Sequence, residues 1–220
     1  MKIQLKNKEI TIRKWKGKDK REFIKLMQEK TPNEVSIMNA LVYECIEEDV
    51  TLSPEEFKYV LSQIRAKSLG EEITYNFYCT ECDETHERKY NISDIMRPVF
   101  EDDNFISYGG INITLGEIKN KEYYLNKIQE GNVYDFLLRI EDINGNDAFD
   151  LDYLIDFFDD LDVDVLDGIL KQYDKIKFKI DDVNTFECDC GFKEDYKFDE
   201  IPEFFPSNWF NEDSMMSSFK

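Results

Sequence analysis

Short alternating stretches and longer helical spacings follow one another along the chain. Ile3 and Leu5 alternate with polar residues, Asn7-Lys8 supplies a turn, and Ile10 and Ile12 resume the alternation, which predicts an N-terminal β-hairpin with two short strands. From Asp19 the spacing changes. Phe23, Leu26 and Met27 fall on one side of a helix, and Thr31-Pro32 stops it. A second helix is expected over about 33–45. Ser53-Pro54-Glu55-Glu56 is a strong helix start: serine caps the free amides, proline suits the first turn, and the carboxylates sit at the positive end of the dipole. Phe57, Val60, Leu61 and Ile64 give that helix one apolar face, and Gly70 ends it.

Residues 71–78 are rich in β-formers (Ile73, Thr74, Tyr75, Phe77, Tyr78) and run straight into Cys79-Thr80-Glu81-Cys82, with a return strand expected from Arg88 to Ile92. Pro98 opens an acidic, irregular stretch, and Tyr108-Gly109-Gly110-Ile111 reads as a tight turn between short strands. Helical spacing is expected from about Glu122 through Tyr134, Leu137 and Leu138. Asn144-Gly145-Asn146 breaks it, and Leu151, Leu154, Ile155 and Phe158 restart it. Asp162 caps a last helix whose face is Val165, Leu166, Ile169, Leu170 and Tyr173. Strand spacing then returns with Phe178 and Ile180, and Phe186 leads into Cys188-Asp189-Cys190-Gly191, followed by Tyr196 and Phe198.

The two cysteine segments resemble each other. Each is an aromatic strand, a cysteine pair and a charged return strand, and Lys89-Tyr90-Asn91-Ile92-Ser93-Asp94-Ile95 corresponds to Tyr196-Lys197-Phe198-Asp199-Glu200-Ile201. The pattern therefore predicts an α+β chain with two similar zinc-knuckle β-hairpins packed as a ribbon-like core. The expected division is an N-terminal hairpin and helices over 1–70, the core over 71–95 plus 176–210, and a mostly helical acidic insert over 96–175.

Composition narrows the function classes. With 41% hydrophobic and 14% aromatic residues, the 220-residue chain can fill a core. No run approaches the roughly 18–20 apolar residues of a membrane span, and Met1-Lys2-Ile3-Gln4-Leu5-Lys6 lacks a signal peptide's apolar stretch, so the protein is expected to stay in the compartment where it is made. A net charge of −20 argues against nucleic acid as a partner, since phosphate contacts need clustered Lys and Arg. The charge is unevenly spread. Residues 1–30 hold 11 Lys/Arg against 4 Asp/Glu, whereas 141–167 hold 11 acidic side chains and no basic one. That acidic run reads either as a solvated helix face or as a docking surface for a basic partner or another copy's N-terminus.

The chemistry lies in the cysteines. In a reducing compartment, thiols spaced C-x-x-C and C-x-C read as metal ligands before they read as disulfides, and a total of five agrees with that. Structural zinc takes four ligands in a tetrahedron, and a tight turn carrying two thiolates supplies one edge of it. Cys79, Cys82, Cys188 and Cys190 are therefore expected to bind one structural Zn2+ per chain. The gap between the pairs is no obstacle if the hairpins are neighbours, because closure entropy grows slowly with loop length. The competing reading is two exposed dithiols without metal. His86, the only histidine, lies four residues past Cys82, where it is either a substitute ligand or a solvated turn residue. Cys45 follows Leu41 and Val42 on an apolar helical pattern and reads as a buried small hydrophobe.

A shell filled by four thiolates has no open position for water, and neither a P-loop nor a dinucleotide glycine pattern occurs. No acid/base pair stands out among the many carboxylates, so the chain reads as a non-enzyme. Asp142-Ile143-Asn144-Gly145-Asn146-Asp147 starts like a calcium loop but has Asp147 where glycine is needed and Tyr153 where a bidentate Glu is expected.

The run Phe186-Glu187-Cys188-Asp189-Cys190-Gly191-Phe192, followed by Ile201-Pro202-Glu203-Phe204-Phe205-Pro206, resembles the ending of the T4-like phage baseplate protein family, the hub assembly proteins of contractile-tailed phages. The first knuckle and the acidic helix pair are similar in order and size, so the resemblance covers about residues 50–210. It implies a viral protein made in the bacterial host cytoplasm that helps build the tail baseplate hub, either retained in the virion or acting as an assembly chaperone. Other hub or tape-measure proteins are then the expected partners, and Phe204, Phe205, Trp209 and Phe210 read either as docking residues or as simple core packing. A zinc-ribbon adaptor or regulator unrelated to tails is the alternative.

Overall fold

The computed structural model describes residues 1–28, 34–101, 103–118, 136–147, 150–181 and 183–197. The chain begins with the expected hairpin, β1 (Lys2–Gln4) and β2 (Glu9–Thr11), paired antiparallel with Ile3 opposite Ile10. Helix α1 (Gly17–Met27) buries Phe23, Ile24 and Leu26. It starts two residues before Asp19, because the Asp19 carboxylate reaches back to accept the Lys16 amide at 2.7 Å and a bidentate pair of bonds from Arg13. The expected helix over 33–45 is two pieces, α2 (Glu34–Leu41) and a 3-10 turn at Tyr43–Cys45.

Helix α3 (Pro54–Leu69) has the predicted start: Ser53 Oγ accepts the Glu56 amide, and the Glu56 carboxylate accepts the Ser53 amide. Its Phe57, Val60, Leu61 and Ile64 are buried against the N-terminal hairpin, α1 and α2. Trp15 closes this core, donating its indole N–H to the Leu41 carbonyl at 2.8 Å.

The first cysteine hairpin is β3 (Glu72–Cys79) and β4 (Glu84–Asn91), followed by the short helix α4 (Ile92–Ile95). Ile73, Ile92, Ile95 and Met96 root it in the core around α3. Strand β5 (Arg97–Val99) then leads into the insert. The insert contains β6 (Phe105–Tyr108), β7 (Ile111–Leu115), β8 (Ile140–Ile143) and β9 (Asn146–Asp147), joined in one antiparallel sheet in that order. Helices α5 (Leu151–Asp159) and α6 (Val163–Ile176) pack on it, with Phe136, Phe158, Ile169 and Tyr173 in the shared core.

The described part of the insert combines helices with short strands. Among the described residues of 96–175, helical residues outnumber strand residues, Leu137–Arg139 is a single 3-10 turn, and Asn144-Gly145 makes the tight β8–β9 turn in place of a helix break. Asp142 accepts the Gly145 amide there, and Asn144 accepts the Asn112 amide, so these oxygens hold the turn. The expected helix over Glu122–Tyr134 lies outside the described residues.

The chain leaves the insert along β10 (Lys179–Asp181), which pairs antiparallel with β5, Lys179 opposite Val99. The entry and exit of the insert are thus neighbouring strands. The second cysteine hairpin, β11 (Val183–Glu187) and β12 (Lys193–Lys197), follows at once. The overall class is α+β, with several small antiparallel sheets and, among the described residues, six α-helices.

Candidate metal centre

The two cysteine hairpins meet face to face. Along β3 the inward positions are Ile73, Tyr75, Phe77 and Cys79, and on β11 Phe186 occupies the position two before Cys188, as Phe77 does before Cys79. The Phe77 and Phe186 rings stack at 4.6 Å with an interplanar angle of 6°, and Tyr196 meets Phe77 edge-on at 5.1 Å. These rings form an apolar floor beneath the cysteines. Arg88 covers the Phe186 ring at 5.5 Å, and its guanidinium reaches the Glu187 carbonyl and the Asp189 carboxylate.

Each loop turns its thiols toward the other hairpin. In the first, Asp83 takes a left-handed conformation (φ 61°) and its amide bonds the Cys79 carbonyl at 2.9 Å, which folds Cys82 back over Cys79. In the second, the Cys188 amide donates to the Phe192 carbonyl at 2.8 Å, leaving only Asp189, Cys190 and Gly191 in the loop, with Gly191 at φ 93°. A three-residue hairpin loop with glycine in the left-handed position explains why two thiols spaced C-x-C can point the same way.

All four thiols converge. Cys79 and Cys190 sulfurs are 3.6 Å apart, Cys82 and Cys188 sulfurs are 3.6 Å apart, and all four lie within 4.8 Å of one another. Four sulfurs each about 2.3 Å from a zinc ion at tetrahedral angles stand roughly 3.8 Å apart. A disulfide needs about 2.05 Å. The residues present therefore fit one thiolate-ligated metal ion, and all four cysteines are free.

The surroundings pull the two thiols of the first loop in opposite directions. Burial raises the Cys79 thiol, but the amides of Cys82 and Glu81 outweigh it and bring it down to about 7. Burial and the neighbouring Cys79 and Cys188 thiols push Cys82 up to about 12. Ionisation is thus favoured at Cys79 and opposed at Cys82, and a cation bound among the thiols would favour the anionic form of its ligands.

His86 is not a solvated turn residue. It stands on β4 opposite Phe77, half-buried, with Nε2 3.2 Å from Cys188 Sγ and 3.6 Å from Cys82 Sγ. Arg88, two residues on, was not singled out by any motif; its only signal was the period-two sequence His86, Arg88, Tyr90 on the inner face of the return strand. Cys45 sits apart, fully buried in the core around α3, where burial pushes its thiol up to about 11. The candidate docking residues Phe204, Phe205, Trp209 and Phe210 lie outside the described residues.

Outside the hairpins, the acidic run forms an exposed surface. Asp152, Asp156, Asp159, Asp160, Asp162, Asp164 and Asp167 face solvent along α5 and α6, interspersed with exposed Tyr153, Ile155 and Val163. Lys14, Lys16, Lys18, Arg21 and Lys25 are exposed on and just before α1. No helix among the described residues is long and apolar enough to cross a membrane.

Comparison with known proteins gives one family, described as T4 bacteriophage base plate protein, which matches residues 1–206. The likeness thus reaches beyond residues 50–210 to the N-terminal hairpin. No curated protein and no solved structure matches the chain.

Proposed function

The chain belongs to the T4 bacteriophage base plate protein family, and on that premise we propose that it is a non-enzymatic structural or assembly protein of the tail baseplate hub of a contractile-tailed phage, built around a structural zinc ion. The family match over residues 1–206 carries the baseplate role and favours it over an adaptor unrelated to tails. Cys79, Cys82, Cys188 and Cys190 would hold the ion, and their convergence across two hairpins is what supports it. Bound there, zinc supplies a crosslink between segments far apart in sequence, and a four-thiolate shell offers no open position for substrate.

Function then lies on the surface. The acidic face of α5 and α6, with Tyr153, Ile155 and Val163 exposed within it, suits a basic partner surface: charge steers the encounter and the apolar groups bury on contact. The aromatic tail residues Phe204, Phe205, Trp209 and Phe210 are the second proposed contact. Other hub proteins or the tape-measure protein are the partners, met in the host cytoplasm during assembly, with the tail baseplate as the destination in the particle. The test is recovery of a tagged chain from infected cells. Copurification with hub or tape-measure proteins is expected; recovery only with polymerase or nucleic acid overturns the reading.

A further inference from the structure

The ring nitrogen of His86 contacts one thiol from each hairpin, Cys82 on the first loop and Cys188 on the second. The ring is held in place by its strand and by Phe186, whose centroid is 5.8 Å away. The Cys82–Cys188 pair is one edge of the four-sulfur cluster, and Cys79–Cys190 is another. His86 therefore sits against an edge of a set that already supplies four ligands. A metal-bound thiolate has no proton and can only accept, so a ring nitrogen between two of them acts as the donor. The need for a donor is plain from the charge. Four thiolates around a divalent ion leave two negative charges in excess, and the loops and their flanks add the carboxylates of Glu81, Asp83, Glu84, Glu187 and Asp189.

Resting on the zinc reading above, we propose that His86 is a positioning residue of the metal centre: its Nε2–H bridges the Cys82 and Cys188 thiolates, fixing their orientation across the two hairpins and offsetting their charge, without itself binding the metal. Hydrogen bonds of this kind raise metal affinity by about 10–100-fold in other sites.

Cobalt(II) replacing zinc in the full chain tests this, because the intensity of thiolate-to-cobalt absorption counts the sulfur ligands. Wild type is expected to show four thiolates. His86→Ala is expected to keep that spectrum while binding cobalt and zinc about 10–100-fold more weakly in competition with a chelator. His86→Gln retains an N–H and is expected to recover part of the loss. A wild-type spectrum of three thiolates and one imidazole, reverting in His86→Ala, overturns the proposal by making His86 a ligand. Equal affinities for wild type and His86→Ala overturn it as well. Failure of the wild-type chain to bind one cobalt is a separate outcome, which removes the zinc reading and this role with it.

Discussion

Arg139 donates to the Glu56 carboxylate at 3.2 Å with both side chains nearly excluded from solvent, and the same carboxylate oxygen accepts the Ser53 amide at 2.9 Å. One carboxylate therefore caps α3 and anchors the residue that precedes β8. Removing either partner leaves a desolvated charge, so Arg139→Ala is expected to cost about 3–5 kcal/mol in urea unfolding. Glu56→Ala should cost a similar amount, and the double variant less than the sum of the two. An unchanged unfolding midpoint in Arg139→Ala would show that the pair contributes nothing.

Protein purified without chelator is expected to carry one zinc per chain by elemental analysis. Changing Cys79 and Cys188 together to Ser should abolish it and lower the melting temperature sharply, since a structural zinc site contributes several kcal/mol or more. Full thermal stability in the metal-free double variant would sink the structural role.

Acid should loosen the start of α1. Burial opposes ionisation of Asp19, but the Arg13 guanidinium and the Lys16 amide outweigh it and hold its carboxyl below the ordinary value of 3.8. A carboxyl depressed on folding contributes stability that is fully present above its unfolded value and is lost as pH falls through the lower, folded one. Asp19→Asn is therefore expected to lose about 1.5–3 kcal/mol at neutral pH, the range for a hydrogen bond to a charged group. Its stability should also vary less than wild type's below about pH 4. Parallel stability curves for the two proteins in acid would rule out this role.

Partner binding through the acidic face should weaken with salt, because exposed charges are screened within about 10 Å at 0.1 M ionic strength. Reversing Asp152, Asp156 and Asp159 to Lys should weaken it further at low salt while leaving the metal content and melting temperature alone. An affinity indifferent to both changes would take electrostatics out of the contact.

Local signals made much of this fold legible. Ser53, Pro54 and Glu56 define the start of α3 with side chains that act within one turn, Tyr75 and Phe77 recur at period two before Cys79, and Phe186 stands two residues before Cys188. Local spacing misleads where distant partners decide. Ile140 and Ile143 are three apart and both buried, which mimics a helix; they belong to a strand whose register against β7 shifts between Thr114 and Leu115. Asp19 acts backward on Lys16, so α1 begins before the residue that caps it. The position of His86 depends on the β3–β4 register, and spacing from Cys82 alone gives no hint of that register.

The Cys82–Cys188 contact spans 106 residues of chain, and this separation has a temporal meaning. At a synthesis rate of about 5–20 residues per second, the first thiol pair is made roughly 5–20 seconds before the second exists. Throughout that interval Phe77 has no Phe186 to stack on, and the first hairpin offers half a cluster. Closure across the hairpins is thus a late event in the life of each new molecule, and it marks a chain that has been translated through its second hairpin.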